Sequence, residues 1–379
     1  MNPVKLIPSL GAVDRLLLEP PFALSDDEKR PLFSAAMAEA FRHHFENNDI
    51  FRAVCRKQGF SPGSIPDDVT RLPYLPASLF KTGFLVSVPA GQIRAEIRSS
   101  ATSGAPSLVA VDHISARRQS LVSARVMSEY LGHHRRPFLI LDVDPVASSA
   151  VDILARSAAT RGFLVFADSA EFALTEDGGQ LRLDEAKLER SLESLLTAGK
   201  DVCVFGFTHL LYSQLIEPLK KRGGGALPLP SGSRVAHIGG WKRLQAEHVD
   251  RNRFLEDVMG TLGVQENDII DFYGFAEQMG IVYAGPGRAP KTVHAYAEII
   301  VRDFDTLQPA PDGKPGLLQF LTPVPHSHPG ISVLTEDVGR IVGRDRDGAG
   351  RCGTQFEVIG RAEKAEPRGC GDQMPPVGG

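Results

Sequence analysis

The sequence predicts an α/β fold, with a mostly parallel sheet crossed by helices and a smaller β-rich lobe. Between residues 95 and 272, short apolar or β-branched runs alternate with stretches of helical periodicity. This alternation is typical of parallel strands joined by crossover helices. After Pro290 the helical periodicity ends and strand-like runs follow. A chain of 379 residues is long enough for a large core and two subdomains.

The first ninety residues, 1–90, are predicted to form a helical preface packed on the core. Ser25-Asp-Asp-Glu28 has the spacing of a capping box and opens an amphipathic stretch that runs to about Asn47. A short helix should follow, up to Gly59. The Pro- and Gly-rich stretch 61–89 should be irregular.

Residues 91–290 are predicted to form the α/β core. Its strands are expected at 95–98, 138–143, 163–167, 202–207, 234–238 and 269–272. Its helices are expected at 113–132, 148–160, 184–197, 209–222 and 247–262. Asp112 and Asp184 stand where helix N-caps belong.

Residues 291–372 are predicted to form the β-rich lobe, which also carries a hinge and a thiol. Its strands are expected at 292–302, 316–322, 338–343 and 354–359. The tail, 373–379, is expected to be disordered.

Charge and hydropathy exclude several classes of protein. The chain has 42 Lys and Arg against 46 Asp and Glu, a net charge of -4, which argues against a nucleic-acid binder or a polybasic membrane anchor. No run approaches the ~20 apolar residues of a membrane span. Asp14, Arg15 and several prolines interrupt the N-terminal apolar stretch, so no signal peptide is predicted and we expect a cytoplasmic protein.

The four cysteines show neither a CxxC pair nor metal-ligand spacing, so no disulfide framework or structural zinc is indicated. Cys203 lies in an apolar run and Cys55 in a helical pattern, and both are expected to be packing residues. Cys370 differs, because Arg368 and two glycines surround it.

Five short blocks contain hydroxyl, glycine, aromatic, acidic or thiol residues that could bind a ligand or take part in catalysis. They are residues 98–104, 237–242, 273–277, 335–337 and 360–370. Four of them directly follow predicted strands. Ligands of open α/β sheets collect beyond the carboxyl ends of strands, so we expect these blocks to meet in one nucleotide site.

The first block contains Ser99-Ser-Ala-Thr-Ser-Gly104. Hydroxyls and backbone N–H groups in such a loop can surround a polyphosphate. An ordinary Ser/Thr-rich turn is the alternative. The segment matches neither GxGxxG nor GxxxxGK[ST], which disfavours Rossmann and P-loop folds.

The third block places Tyr273 and Glu277 four positions apart at a strand end. An aromatic ring can cover an adenine face, and a carboxylate can hold Mg²⁺. A core tyrosine and a surface glutamate are the alternative.

In this order, SSATSG, YGFAE, TED and the GR pair resemble the phosphate, adenine/Mg²⁺, ribose and hinge motifs of the adenylate-forming (ANL) superfamily. HIGGWK and FEVIGRAEKAEPRGC resemble more narrowly the acyl-protein synthetase (LuxE-type) family, which supplies acyl groups to the fatty-acid reductase of bacterial bioluminescence. The likeness runs from about Leu72 to Cys370. It implies an ANL-type N-terminal domain related to phenylacetate-CoA ligases, with the large C-terminal ANL lobe absent or strongly truncated.

The resemblance also implies an activity and its cofactors. A carboxylic acid, with fatty acids among the candidates, would be activated by ATP and Mg²⁺ to an acyl-adenylate. The acyl group would then pass to a cysteine thiol and on to a partner protein, either reductase-like or a carrier protein. No nucleic-acid partner and no membrane span are implied.

Residue roles follow from the same resemblance. The implied ATP-binding positions are Ser99, Ser100, Thr102, Ser103, Gly104, Gly239, Gly240, Tyr273, Gly274, Asp337 and Arg361. Glu277 would be the Mg²⁺ ligand and Asp337 would bond the ribose hydroxyls. Phe207, Phe275 and Ala276 would line an alkyl tunnel or an aromatic slot for the acyl group.

Two departures from the superfamily pattern matter. Ala101 stands where the phosphate loop usually has glycine. Either it limits the backbone angles available there or it is harmless, since not every loop glycine has φ > 0. The lobe that carries the superfamily's catalytic lysine is not matched, so another cation must neutralise charge on the α-phosphate. Lys242 is the candidate, and a solvated lysine after a strand is the alternative.

Cys370 is the expected acyl acceptor, because acyl-protein synthetases carry the acyl group on a cysteine in this RGC context. A neighbouring arginine favours the nucleophilic thiolate. A spare thiol is the alternative for this residue.

Other functions stay open at this point: direct acyl transfer to CoA, loading of a carrier protein, or a degenerate binding protein without turnover. His326-Ser-His328 suggests either a metal site or, with prolines nearby, a polar loop. His43 and His44 are expected to be surface residues at a helix end. A Ser-His-Asp hydrolase is disfavoured because no G-x-S-x-G elbow is present.

Overall fold

The computed structural model describes residues 10–64, 68–99, 105–145, 152–177, 180–221, 227–240 and 249–362. Its α-helices are α1 (Ala12–Leu16), α2 (Asp26–Asn47), α3 (Asp49–Lys57), α4 (Leu79–Thr82), α5 (His113–Leu131), α6 (Ala155–Leu164), α7 (Glu185–Ala198), α8 (Thr208–Leu210), α9 (Glu217–Lys221) and α10 (Arg251–Leu262). A π-helical segment, Leu211–Ile216, joins α8 to α9.

The strands are β1 (Leu75–Pro76), β2 (Ile93–Arg98), β3 (Leu108–Asp112), β4 (Arg136–Leu141), β5 (Asp152–Leu154), β6 (Ala167–Phe172), β7 (Leu174–Asp177), β8 (Gln180–Leu183), β9 (Cys203–Phe207), β10 (Arg234–Ile238), β11 (Ile269–Tyr273), β12 (Tyr283–Pro286), β13 (Lys291–Thr292), β14 (Glu298–Arg302), β15 (Gly316–Leu321), β16 (Ser332–Gly343) and β17 (Gln355–Arg361).

Helix α2 begins where the capping signal predicts. The Glu28 carboxylate accepts hydrogen bonds from the Ser25 backbone N–H at 2.9 Å and from its hydroxyl at 2.7 Å. The predicted helix up to Asn47 and the short helix after it are confirmed. Helix α2 buries Phe33 and Phe41 in the same apolar core as the sheet, so the preface packs directly on the strands.

Twelve of the described strands form one sheet, in the order β14-β15-β16-β17-β13-β12-β11-β10-β9-β4-β6, with β1 paired to β16. From β6 to β11 the strands pair in parallel, and from β11 to β14 they pair antiparallel. The predicted α/β fold class is confirmed. The strands after residue 290 are hydrogen-bonded into this same sheet. The predicted domain boundaries at residues 90, 290 and 372 stay predictions.

Helices cover both faces of the parallel half of the sheet. Along β9, Cys203 and Phe205 point into one core and Val204 points into the other, as the two-residue period of a strand requires. Helices α2, α5 and α6 contribute to the first core, and α7 and α10 contribute to the second. This arrangement brings the carboxyl ends of β9, β10 and β11 to one edge of the sheet. None of the described helices is long and apolar enough to cross a membrane.

Some elements differ from the sequence prediction. Of the run predicted as a strand at 163–167, Phe163 and Leu164 end helix α6, a turn follows, and strand β6 begins only at Ala167. The Phe163 ring stacks on Phe205 at 3.9 Å. The run predicted as one strand at 292–302 is split into β13 and β14. Strands β1, β3, β5, β7, β8 and β12 were not predicted, and β5 lies within the run predicted as a helix at 148–160. The caps Asp112 and Asp184 are confirmed, since each accepts a backbone N–H bond of its helix.

Candidate active site

The loops after β9, β10 and β11 meet at the carboxyl edge of the parallel strands. Ile238, the last residue of β10, pairs with Phe207 on one side and Phe272 on the other. The next residue, Gly239, has φ +79°, a left-handed conformation that favours glycine. Its carbonyl accepts a hydrogen bond from the Thr208 hydroxyl at 2.6 Å. The Gly239–Gly240 segment is therefore fixed to the end of β9.

A buried polar cluster supports this segment. The Lys291 ammonium lies 2.5 Å from the Asp271 carboxylate, and that carboxylate lies 3.8 Å from His237 Nδ1. His237 Nδ1 is 3.0 Å from the Thr208 hydroxyl. Burial would raise the pKa of Asp271, but the positive charge of Lys291 beside it lowers that pKa overall. Burial lowers the pKa of His237 to about 4, so its imidazole is neutral.

The Glu277 carboxylate contacts the neck of the predicted phosphate loop, which is the point where Ser99 and Ser107 bring the two ends of the loop together. Glu277 lies on a short 3-10 turn after β11 and is only 7% exposed. Its Oε1 accepts a hydrogen bond from the Ser107 hydroxyl at 2.5 Å. The Ser107 N–H donates to the Ser99 hydroxyl at 2.8 Å, and the Ser99 N–H donates to the Ser107 carbonyl at 3.0 Å. The two serines thus hold the ends of the loop together beside Glu277.

Ser107 was missed by the sequence analysis, which counted hydroxyls only up to Ser103. The available signal was its position at the loop exit, directly before a strand. Its partner Glu277 is 170 residues away in sequence, so the contact itself had no local signal.

The predicted adenine-flanking and ribose-binding residues are in contact. The Tyr273 hydroxyl donates to Asp337 Oδ2 at 2.6 Å, and the Tyr273 ring stacks on Phe320 at 5.5 Å. Burial, together with the nearby Asp337 carboxylate, raises the pKa of Tyr273 well above its usual range. Arg361 pairs with Asp337 across strands β16 and β17. Its guanidinium makes an ion pair with Glu336.

The remaining predicted site residues line the same edge. A Cβ at Gly274 would lie 3.1 Å from the Ile281 carbonyl, so a larger residue would require a backbone shift. The Phe275 ring lies 5.2 Å from Phe320. Ala276 is buried, and Phe207 is half-buried at the end of β9, two strands from Phe275.

Several predicted residues lie outside the described residues, and they are Ser100, Ala101, Thr102, Ser103, Gly104, Lys242 and Cys370. The other three cysteines are all buried. The packing role predicted for Cys55 and Cys203 is confirmed, and burial raises the pKa of both thiols to about 12. Such thiols are poor nucleophiles, because the thiolate is the reactive form.

The prediction that His43 and His44 are surface residues is wrong. His44 has no exposed surface, and His43 is half-buried. The carboxyl end of α2 packs against Ser87, Pro325 and His326, through contacts that helical periodicity does not reveal.

The donor set at Glu277 fits a Mg²⁺ ion that is held partly by a nucleotide. Among the described residues, no group of three or more His, Cys, Asp or Glu side chains could hold a metal alone. Mg²⁺ commonly binds through one or two carboxylates together with substrate phosphates. Glu277, beside the neck of a predicted phosphate loop, offers that arrangement.

Comparison with solved structures defines the class. Over 95% of this chain and 75% of the other chain, the fold is similar to that of 2-hydroxyisobutyryl-CoA ligase in an open conformation with 2-HIB-AMP and CoA, with a TM-score of 0.67 and 14% identity. The same ligase in its postadenylation state gives a TM-score of 0.67 over 95% of this chain and 73% of the other chain, again at 14% identity. The chain therefore has the fold of the adenylate-forming ligases.

Sequence comparison is more specific. The profile of the family described as "Acyl-protein synthetase, LuxE" matches residues 2–376, and the chain belongs to this family. It is 26% identical over 365 residues to the "Long-chain-fatty-acid--luciferin-component ligase" of Vibrio harveyi, covering 95% of this chain and 92% of that protein. The protein of the same description from Aliivibrio fischeri is 25% identical over 376 residues, covering 98% and 95%.

The neutral state of His237 predicts a pH dependence of stability. Between pH 6.5 and about 4, His237 takes up a proton in the unfolded chain but not in the folded one, so the free energy of unfolding falls as the pH falls. In a His237→Gln protein this loss should be smaller by up to about 3 kcal/mol, measured by urea unfolding at several pH values. His134, an exposed histidine paired with Asp201, provides the control His134→Gln, which should keep the wild-type dependence. An unchanged pH dependence in His237→Gln would contradict the buried neutral state.

Proposed function

We propose that this protein uses ATP to convert a carboxylic acid to an acyl-adenylate, transfers the acyl group to its own cysteine, and passes it to a partner protein. The observation that carries the proposal is the hydrogen bond between Ser107 and Glu277. It joins the neck of the predicted phosphate loop to the predicted metal carboxylate, and a Mg²⁺ site shared with ATP phosphates needs these two groups side by side. Membership of the acyl-protein synthetase family supports the transfer step.

In the proposed complex, the hydroxyls and N–H groups of the loop from Ser99 to Gly104 bind the ATP phosphates. The Gly239–Gly240 segment passes beside the adenine, with Tyr273 and Gly274 at its edge. Asp337 accepts the ribose hydroxyls and Arg361 lies nearby. The 2.6 Å bond from Tyr273 to Asp337 supports a shared base and ribose site, because it orients both groups before the nucleotide arrives.

Adenylation is a displacement at the α-phosphorus of ATP. The carboxylate oxygen of the acid forms a bond to this phosphorus, and the bond to pyrophosphate breaks. Mg²⁺, when bound, neutralises charge on the phosphates. Glu277 would be the protein ligand of this Mg²⁺. The hydrogen bond from Ser107 fixes the orientation of the Glu277 carboxylate. Lys242 supplies positive charge to the α-phosphate as charge develops there.

The proposed acid is a long-chain fatty acid. Two relatives that align over nearly their whole length with this chain are described as long-chain fatty acid ligases. Phe207, Phe275 and Ala276 lie at the strand ends around the proposed nucleotide site and supply apolar surface for the acyl chain. The Cys370 thiolate would attack the adenylate carbonyl and release AMP, and a thiol of the partner would then take over the acyl group.

Glu277 is tested by exchange of labelled pyrophosphate into ATP, measured over fatty, aryl and amino acids. The Glu277→Gln variant should exchange about 10²- to 10³-fold more slowly, the usual effect of losing one electrostatic contributor to a transition state. Glu298→Gln is the control, since this half-buried carboxylate on β14 pairs with Lys29 of α2. Near-normal exchange in a folded Glu277→Gln protein would contradict the metal role, and no acid-dependent exchange in the wild type would contradict adenylation altogether.

Lys242 is tested by the rate of acyl-adenylate formation. Lys242→Met should slow acyl-adenylate formation by about 10- to 100-fold while the affinity for ATP changes little. The positive charge of Lys242 would act mainly in the transition state. Rapid-quench assays measure the rate, and calorimetry measures the affinity for ATP. Lys314→Met, at an exposed lysine paired with Asp303, is the control. An unchanged rate in Lys242→Met would return Lys242 to a solvated surface role.

Cys370 is tested by acyl labelling. Cys370→Ser should keep pyrophosphate exchange but lose the hydroxylamine-sensitive label from radiolabelled acid, since serine is a much weaker nucleophile. Cys352→Ser, at a buried cysteine, should keep the label. Mass spectrometry that finds the acyl group on another residue, or only on added CoA, would replace this step with a CoA-ligase reaction.

A further inference from the structure

A buried histidine, His328, contacts the backbone of the Glu277 turn. The two ring nitrogens of His328 face two carbonyl oxygens, with Nε2 2.9 Å from the Glu277 carbonyl and Nδ1 3.1 Å from the Ala110 carbonyl. His328 has no exposed surface. Ala110 lies in β3, the strand that follows the predicted phosphate loop. The imidazole therefore lies between the two segments that the Ser107–Glu277 bond joins. Burial lowers the pKa of His328, and a neutral ring has a single N–H, so it donates to one of the two carbonyls and packs against the other.

The neighbours of His328 restrict the same turn. The Gln278 amide donates to the carbonyls of Phe320 at 3.0 Å and Gly330 at 2.9 Å. A Cβ at Gly330 would lie 2.5 Å from the Glu277 carbonyl, so only glycine allows this close approach. The hydrogen bonds within the turn are long, at 3.2 and 3.3 Å. The turn thus depends on side-chain contacts for its position.

Helix α2 holds the segment that carries His328. The ring of His43 stacks on His326 at 4.1 Å, and His43 Nε2 is 2.9 Å from the His326 carbonyl. His44 Nε2 is 3.1 Å from the Pro325 carbonyl. On the opposite side, His326 Nδ1 is 2.7 Å from the carboxylate of Asp112, the N-cap of α5. The preface is therefore linked to the Glu277 turn through residues 325–328.

We propose that His328 is a positioning residue that fixes the Glu277 turn, so that the Glu277 carboxylate stays aligned with Ser107 and with metal-bound phosphates. His43 supports it through residues 325–328. This inference rests on the proposed metal role of Glu277. A metal ligand must be held within roughly 0.5 Å of its productive position, and groups behind the ligand usually provide this.

The first measurement is hydrogen–deuterium exchange in the peptide that contains residues 273–280. His328→Leu removes the ring N–H and should speed exchange in this peptide by about tenfold. His328→Gln keeps an N–H donor and should restore most of the protection. His294→Leu is the matched control, because His294 is equally buried but its Nδ1 bonds to Tyr296 within its own turn.

The second measurement is calorimetry of ATP binding with Mg²⁺ and with EDTA. In His328→Leu the affinity for Mg·ATP should fall by about 10- to 100-fold, the usual effect of losing support behind a metal ligand, while the affinity for metal-free ATP changes little. His294→Leu should retain both affinities. Wild-type exchange and wild-type Mg·ATP affinity in His328→Leu would overturn the inference.

Two further variants keep the test decisive. If His328→Leu does not fold, His43→Leu at the half-exposed helix end should show the same changes at a smaller size, about threefold, and no change there would also overturn the inference. Glu277→Gln in the same calorimetry separates the two proposals. Unchanged Mg·ATP affinity in Glu277→Gln would defeat the metal role itself. A loss in Glu277→Gln with none in His328→Leu would defeat only the positioning role.

Discussion

The site depends on one short hydrogen bond between two separate sheets. Ser107 directly precedes β3, in the three-stranded sheet β3-β2-β5, and Glu277 follows β11 in the large sheet. A hydroxyl that donates to a carboxylate makes a charge-assisted bond, which is about twice as strong as a neutral one. Both residues are buried, so the bond is shielded from competition by water. Without it, the neck of the predicted phosphate loop and the Glu277 carboxylate would have no direct contact with each other.

A second constraint lies in the sheet itself. Asp271 stands in the middle of β11, where a charged side chain is costly to bury, and Lys291 from β13 compensates for its charge. This pair connects the last parallel strand to the antiparallel half of the sheet. Because β12 lies between the two strands, the pair also fixes their spacing. His237 and Thr208 extend the cluster to Gly239, so the loop of the proposed adenine site is coupled to the packing of the sheet.

Local signals predicted most of the elements and several site residues. The caps at Asp112 and Asp184 depend on hydrogen bonds to residues three positions away. The strand at 234–238 depends on a short apolar run. These features were therefore predictable from the sequence. The end of α6 was mistaken for a strand because a short apolar run fits either element. Tertiary contacts such as the stacking of Phe163 on Phe205 are not visible in the local sequence.

The contacts that complete the site were not predictable in this way. His328 reaches Glu277 across 51 residues, and His44 reaches Pro325 across 281 residues. Such contacts arise only when the sheet has assembled. A histidine near a helix end has the same local pattern whether it is solvated or buried, which is why His44 was wrongly expected at the surface. Family motifs identified Tyr273 and Asp337 but gave no indication of the residues that hold them in place.

Two opposite physical demands act on a protein that both adenylates an acid and carries its acyl group. Adenylation requires fixed dipoles and charges, because groups that reorganise during the reaction lose much of their stabilising effect. In the proposed site, the Glu277 turn would meet that demand, because Ser107 contacts its carboxylate and His328 contacts its backbone carbonyl. Delivery to a second protein requires a thiol that can reach outside the site. The thiols of Cys55, Cys203 and Cys352 are locked in packed surroundings and do not meet it. The two demands are therefore best met by different parts of the chain, with rigid chemistry at the sheet edge and the acceptor thiol elsewhere.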